Sequence, residues 1–144
     1  PISVFAHGDF NLDNIIYDVD RGVVHFIDLH RSQQMDYVRD VAVFLVSAFR
    51  LPVFEAEIRE RLDWVSASFL EFARRFAASQ NDETFEARLA IGLVRNFTTS
   101  TRFELDRKFA TEMSQRANYL LRKVEAHRGT PWSEFKVPWD LLFY

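Results

Sequence analysis

Short apolar runs alternate with polar turns over the first 28 residues, a pattern typical of β-strands. Residues 3–6 (Ser-Val-Phe-Ala) predict one strand, and residues 14–18 and 23–28 predict two more. The two later runs are separated by residues 19–22 (Val-Asp-Arg-Gly), so they predict a β-hairpin that turns there. Residues 29–35 show neither a strand nor a helix pattern and are predicted to form a loop.

From residue 36 onward the apolar positions recur every three or four residues, which is the period of an amphipathic α-helix. Asp36 is predicted to cap a first helix, and Asn81 or Asp82 to cap a third. A fourth helix is predicted over about residues 106–127. The second helix shows the clearest apolar stripe, formed by Ile58, Leu62, Val65, Phe69, Phe72 and Phe76.

This order of elements predicts an α+β fold that is mostly helical, with one β-hairpin followed by about four helices. A chain of 144 residues is one domain by the usual relation of length to domain count. Within residues 1–144 we expect a polar hairpin region (1–35), a helical subdomain (36–128) and an aromatic tail (129–144) that packs back on the helices.

Composition narrows the function by exclusion. The formal net charge of −3 argues against a nucleic-acid partner, because no basic stripe is available to replace phosphate counterions. The absence of Cys excludes disulfides and thiolate chemistry and fits a reducing cytoplasm. No apolar run reaches the roughly 18 residues that a membrane span needs, so no membrane partner is expected.

The candidate chemistry lies at the start of the chain, in the run His7-Gly8-Asp9-Phe10-Asn11-Leu12-Asp13-Asn14 and in Asp28. Asp9 is predicted to lie in a loop between two strands, where it can orient a hydroxyl group and accept its proton. Asn14 begins the next strand and Asp28 ends its hairpin partner, so both can face one divalent cation. Mg²⁺ favours such sparse oxygen ligation, with water and phosphate completing its shell.

The motif His7-Gly8-Asp9-x-x-x-x-Asn14, followed by Ile27-Asp28 and by Asp36-x-x-x-Asp40, resembles the aminoglycoside phosphotransferase and choline kinase family. That family is similar in fold to the protein kinases, so the resemblance implies a protein-kinase-like C-terminal lobe. It also implies Asp9 as catalytic base, and Asn14 and Asp28 as ligands of Mg²⁺ and thereby of ATP or GTP. His7 and Asp40 would be structural residues that support the catalytic loop.

The chain departs from the family pattern at two places. Met35-Asp36-Tyr37 stands where the family usually has Gly-Asp-Pro. Leu29-His30-Arg31 is more similar to the lipopolysaccharide-core sugar kinases, which share the fold. His30 and Arg31 are either contacts for a phosphate or an anionic substrate, or an ordinary exposed loop pair.

The nucleotide-clamping half of such a kinase is not recognisable in the sequence. The chain has four Gly and no Gly-rich loop, and its three Lys (108, 123 and 136) lie in the C-terminal half. We therefore expect an N-terminal lobe that is not in this segment to act as its partner. The segment alone should then have little activity. It should also self-associate through the apolar surface that the lobe would cover.

The leading hypothesis is an ATP- or GTP-dependent O-phosphotransferase that acts on a small-molecule hydroxyl acceptor. Two alternatives stay open. The first is a non-catalytic binding or regulatory module that keeps the kinase-like lobe without a nucleotide clamp. The second is a lipopolysaccharide-core sugar kinase, favoured by Leu29-His30-Arg31.

Overall fold

Four short strands open the chain in the computed structural model, which describes residues 2–101 and 106–141. They are β1 (Ser3–Ala6), β2 (Ile15–Asp18), β3 (Val23–Phe26) and β4 (Gln33–Asp36). β2 and β3 form the predicted antiparallel hairpin. β1 pairs antiparallel with β4 in a second two-stranded sheet. In sequence order, the β2–β3 hairpin is inserted between these two strands.

The predicted loop over residues 29–35 is wrong. Leu29–Arg31 form a single 3-10 turn, and the chain then enters β4. β4 has the sequence Gln-Gln-Met-Asp, and its first two side chains are exposed, so it lacks the apolar alternation that marks a half-buried strand. Its hydrogen bonds to β1 hold it as a strand, and that partner lies about thirty residues earlier in the chain.

Four α-helices follow within the described residues, and the mostly helical α+β class is confirmed. They are α1 (Val38–Arg50), α2 (Ala56–Ser79), α3 (Phe85–Ser100) and α4 (Arg107–Ala126). α1 packs against α2 and α3, and α3 packs against α4. Their shared core has its largest fully buried side chains at Phe49, Phe97, Leu45, Leu89, Leu93, Met113, Leu120 and Val137.

Asp36 does not occupy the predicted capping position of α1. It is the last residue of β4, and Tyr37 stands at the N-cap. The Asp36 carboxylate nevertheless accepts a hydrogen bond from the Val38 N–H at 3.1 Å, so it satisfies one of the free donors of the first turn.

The predicted caps of α3 are wrong, because Thr84 stands at its N-cap. Asn81 ends the turn after α2 with φ +53, and the Asp82 carboxylate is engaged elsewhere. It accepts hydrogen bonds from the Tyr37 hydroxyl and from Arg88, each at 2.7 Å. The hydrogen bond and charge of Arg88 lower the pKa of Asp82. A tertiary ion pair therefore takes the carboxylate that local sequence would assign to a cap.

The tail packs against α3. Phe135 and Val137 are buried, and the Val137 N–H donates to the buried Glu86 carboxylate at 3.0 Å. Arg74 of α2 donates to the other Glu86 oxygen at 2.7 Å, so one carboxylate joins two helices and the tail. Residues 142–144 lie outside the described residues. None of the described helices has the length and apolarity needed to cross a membrane.

Candidate active site

The loop between β1 and β2 is shaped by Gly8 and Asn11. Gly8 has φ +83, and a Cβ placed on it would lie 2.3 Å from the backbone oxygen of Arg31, so only glycine fits. Asn11 caps the 3-10 turn Leu12–Asn14 by accepting a hydrogen bond from the Asp13 N–H at 3.0 Å. Together they turn the chain back on itself within a few residues, with Asp9 between them.

Asp40, in the first turn of α1, binds the backbone of this loop. Its Oδ2 accepts a hydrogen bond from the His7 N–H at 2.7 Å, and its Oδ1 accepts one from the Gly8 N–H at 3.0 Å. Burial raises the pKa of the Asp40 carboxyl, although the two N–H donors oppose that shift. The loop preceding Asp9 is therefore fixed to the start of α1.

His7 connects the loop to the far end of the hairpin. Its Nε2 lies 2.9 Å from the backbone oxygen of Ile27, and its Nδ1 lies 3.3 Å from the Asp9 nitrogen. An imidazole with the proton on Nε2 satisfies both contacts, donating to Ile27 and accepting from Asp9. His7 thereby fixes the backbone of Asp9 relative to the residue before Asp28.

Asn14 is buried where the loop meets β2. Its Nδ2 donates to the backbone oxygen of Asp9 at 2.8 Å, and its own backbone oxygen accepts from the Ile27 N–H at 3.0 Å. Asp28 follows Ile27, two residues beyond the end of β3, and has φ +58, a left-handed conformation that leads into the 3-10 turn Leu29–Arg31. The hairpin pairs Ile15 with Phe26, so Asn14 lies opposite Ile27, the residue before Asp28, at the end of the hairpin that adjoins the Asp9 loop.

The donor set of Asn14 and Asp28 fits a hard cation of the Mg²⁺ type. Because Nδ2 of Asn14 is engaged with Asp9, the carboxamide oxygen remains to accept, and no described residue donates to it. No hydrogen bond from a described residue reaches Oδ2 of Asp28 either, while Oδ1 contacts His30. The described residues contain no group of three or more His, Cys, Asp or Glu able to hold a metal. Two protein oxygens are enough where phosphate and water supply the rest.

Asp9 is held between Arg31 and Asn11. Oδ2 of Asp9 accepts from Nη1 of Arg31 at 3.0 Å, and Oδ1 accepts from Nδ2 of Asn11 at 3.3 Å. The Asp9 side chain is 26% exposed and the Arg31 side chain 56%, so the pair stands at the surface of a cleft. This orientation leaves the carboxylate accessible to a small molecule.

His30 and Arg31 contact different carboxylates of the site, and Nε of Arg31 also donates to Nε2 of His30 at 3.3 Å. His30 contacts the Asp28 carboxylate through Nδ1, whereas Arg31 contacts Asp9. Both side chains are more than half exposed. They therefore connect the two predicted functional carboxylates to one 3-10 turn.

A polar cleft of about 340 Å³ opens beside Asp9, between α1 and α3. Sequence reasoning did not identify its basic lining, which includes Arg39, Arg50 and Arg95. One signal was available, because Arg39 and Arg50 are eleven residues apart and three helical turns bring them to one face of α1. Arg95 carried no comparable signal, since only the packing of α3 on α1 brings it to this face.

A model of the phosphotransferase enzyme family matches residues 2–80, which is more than half of the chain. No curated protein and no solved structure gives a significant match. The matched range contains the loop at residues 7–14, the β2–β3 hairpin, α1 and α2.

Proposed function

The chain belongs to the phosphotransferase enzyme family, and from this membership we propose an ATP- or GTP-dependent O-phosphotransferase that acts on a small-molecule hydroxyl acceptor. In this proposal residues 1–144 form one protein-kinase-like C-terminal lobe. The observation that carries it is the bonding of the loop around Asp9: Asp40 holds the loop, His7 ties it to Ile27, and Asn14 closes it.

Asp9 is the proposed catalytic base. The acceptor hydroxyl donates a hydrogen bond to the Asp9 carboxylate, and its proton passes to Asp9 as its oxygen bonds to the terminal phosphorus of the nucleotide. The bond between that phosphorus and the bridging oxygen breaks, and the nucleoside diphosphate leaves with the electron pair. The contacts to Arg31 and Asn11 orient the carboxylate before the acceptor arrives.

Asn14 and Asp28 are the proposed ligands of Mg²⁺, which would neutralise charge on the nucleotide phosphates. His30 holds one oxygen of Asp28, and the Asp9 backbone holds the amide nitrogen of Asn14. These contacts limit the rotation of both side chains and direct their remaining oxygens.

A second, nucleotide-clamping lobe is the proposed partner, because the sequence offers no Gly-rich loop to cover the phosphates. In this proposal the lobe packs on the exposed apolar surface of the β2–β3 hairpin, which includes Tyr17, Val24 and Phe26. The proposed location is the cytoplasm, where ATP and GTP are available. The segment alone should then show little turnover.

Substitution of Asp9 tests the proposal, measured on the complete translation product with a panel of hydroxyl acceptors and ATP or GTP. Asp9→Asn keeps the shape of the side chain but removes the base, so kcat should fall by roughly 10²–10⁴-fold. The matched control is Asp20→Asn, an equal change of charge in the exposed hairpin turn, and it should leave kcat unchanged.

Three outcomes would redirect the assignment. If Asp9→Asn retains activity within about tenfold of the wild type, Asp9 is not the base. If the wild type gives no turnover even with a nucleotide-binding lobe supplied, the chain is a non-catalytic module. If turnover requires a heptose-containing acceptor, the protein is a lipopolysaccharide-core sugar kinase, as Leu29-His30-Arg31 suggests.

A further inference from the structure

The cleft beside Asp9 has a well-defined position in the fold. Its volume of about 340 Å³ suits a molecule the size of a monosaccharide. One wall is a face of α1 running from Arg39 to Arg50, and the opposite wall is the end of α3 from Arg95 to Ser100. Asp9 is one of the residues that line the cleft, so a molecule in the cleft can present a hydroxyl group to it.

The charge of this cleft is the reverse of the charge of the whole chain. Among the described residues that line it, four are arginines, Arg31, Arg39, Arg50 and Arg95, and one is a carboxylate, Asp9. The chain as a whole has a net charge of −3. Positive charge is therefore concentrated at the place where the acceptor is expected, and it disfavours a polycationic acceptor there.

Arg31 donates to Asp9 and His30, but the donors of Arg39, Arg50 and Arg95 are largely uncommitted within the ranges that the structure describes. Nε of Arg50 is buried and has no hydrogen-bond partner in the described part of the chain, although its Nη1 donates to Ser100 at 3.3 Å. The guanidinium groups of Arg39 and Arg95 form no hydrogen bond or ion pair with the described residues. A buried donor without an acceptor is uncommon in proteins and indicates a missing ligand or water.

The neutral polar groups of the cleft are more fully engaged. The Ser47 hydroxyl donates to the Phe44 backbone oxygen, and the Thr99 hydroxyl donates to that of Arg95. Nδ2 of Asn96 likewise donates to the backbone oxygen of Gly92. The free hydrogen-bonding capacity of the cleft therefore belongs mainly to guanidinium groups, which match carboxylate and phosphate oxygens in geometry and charge.

We propose that the acceptor of this phosphotransferase is an anion: a sugar-sized hydroxyl compound that carries a carboxylate or phosphate group. The anionic group binds to Arg39, Arg50 and Arg95 in the cleft between α1 and α3, and a hydroxyl group faces Asp9. This inference rests on the proposed function for its reaction, but anion binding itself requires neither nucleotide nor turnover.

Binding of inorganic phosphate to the chain at constant ionic strength, followed by calorimetry, tests the site. We expect saturable binding at one site, weakened at least about tenfold in the double variant Arg39→Ala/Arg95→Ala, because two charge-assisted contacts are lost. The matched control Arg61→Ala/Arg75→Ala removes two exposed arginines of α2 and should bind as the wild type does. Circular dichroism of both variants checks that they are folded.

Competition against bound phosphate tests the ligand class with one sugar scaffold. D-glucuronate and D-glucose 6-phosphate should displace phosphate, and neutral D-glucose and cationic D-glucosamine should not. The anionic sugar that competes at the lower concentration identifies the favoured group. Displacement by D-glucosamine would overturn the proposal. So would the absence of phosphate binding in the wild type, or equal phosphate binding in the wild type and in Arg39→Ala/Arg95→Ala.

Two further results separate this inference from the proposed function. Displacement of phosphate by Mg²⁺-ADP would place the nucleotide, not the acceptor, on the arginines and would overturn the inference alone. Kinase activity that depends on Asp9 but shows no preference for anionic acceptors would do the same. Phosphate binding that depends on Arg39 and Arg95 stands even if Asp9 proves not to be the base.

Discussion

Asp40 takes no direct part in the proposed phosphoryl transfer, yet the position of Asp9 depends on its hydrogen bonds. Its two oxygens accept the N–H groups of His7 and Gly8, which lead into Asp9. Burial raises the pKa of this carboxyl, so the fold retains a group whose charged form is disfavoured. Satisfying two partly buried backbone donors explains why a carboxylate occupies this position.

Replacing Asp40 should therefore affect both stability and activity. Asp40→Ala leaves two N–H donors without an acceptor, and we expect a loss of about 2 kcal/mol in the free energy of unfolding, measured with urea. The loop before Asp9 also loses its anchor, so kcat should fall more than KM rises. Asp20→Ala in the hairpin turn is the control. A stability change no larger than that of the control would show that the loop is held by other contacts.

At the level of elements, the contact between α1 and α3 decides the shape of the arginine-lined cleft. Gly92 of α3 lies against Ala42 of α1, and a Cβ placed on Gly92 would lie 2.8 Å from the Ala42 Cβ. Ala42 is completely buried. The two helices can approach this closely only because one of the two residues lacks a side chain.

Exchanging the two residues tests this contact. Gly92→Ala gains about 1 kcal/mol of helix propensity, but we expect the overlap to cost about 1–3 kcal/mol and make the variant less stable. Ala42→Gly in the same chain should relieve the overlap, with a coupling of about 1 kcal/mol or more between the two changes in urea unfolding. Ala67→Gly, on the exposed side of α2, should combine additively with Gly92→Ala. Additive behaviour of the Ala42–Gly92 pair would disprove the close contact.

On the scale of the whole molecule, apolar surface is unevenly distributed. The apolar side chains between the helices are buried, whereas the strands and the adjoining face of α2 expose large apolar side chains. A cleft of about 520 Å³ lies between them. Phe5 and Phe72 line it and are 73% and 59% exposed. Contiguous exposed apolar surface of this kind promotes association with another surface.

The isolated chain should therefore self-associate as its concentration rises, which light scattering can follow. Phe5→Ser/Phe72→Ser should shift the mass toward the monomer, because both side chains lie on the exposed cleft. Trp64→Ser is the control, since Trp64 is 69% exposed on α2 but does not line this cleft. A monomer at every concentration would contradict the prediction, and equal effects of the double variant and the control would show that the cleft is not the interface.

Local patterns in the sequence determined the helices, the β2–β3 hairpin and the residues of the loop around Asp9. Each depends on neighbours in the chain: a helical stripe repeats within four residues, and the span from His7 to Asn14 is closed by hydrogen bonds within it. Such features can be recognised from one sequence because many of their hydrogen bonds and dihedral preferences are local, whereas the contacts that anchor the loop to Asp40 and Ile27 are not.

Tertiary packing alone decided the rest. β4 is a strand because β1 pairs with it, and Asp82 binds Tyr37 and Arg88 although its position suggests a helix cap. The arginine-lined cleft forms only where α1 and α3 meet. These contacts join residues far apart in the chain, and their energies come from burial and charge pairing that no local pattern records.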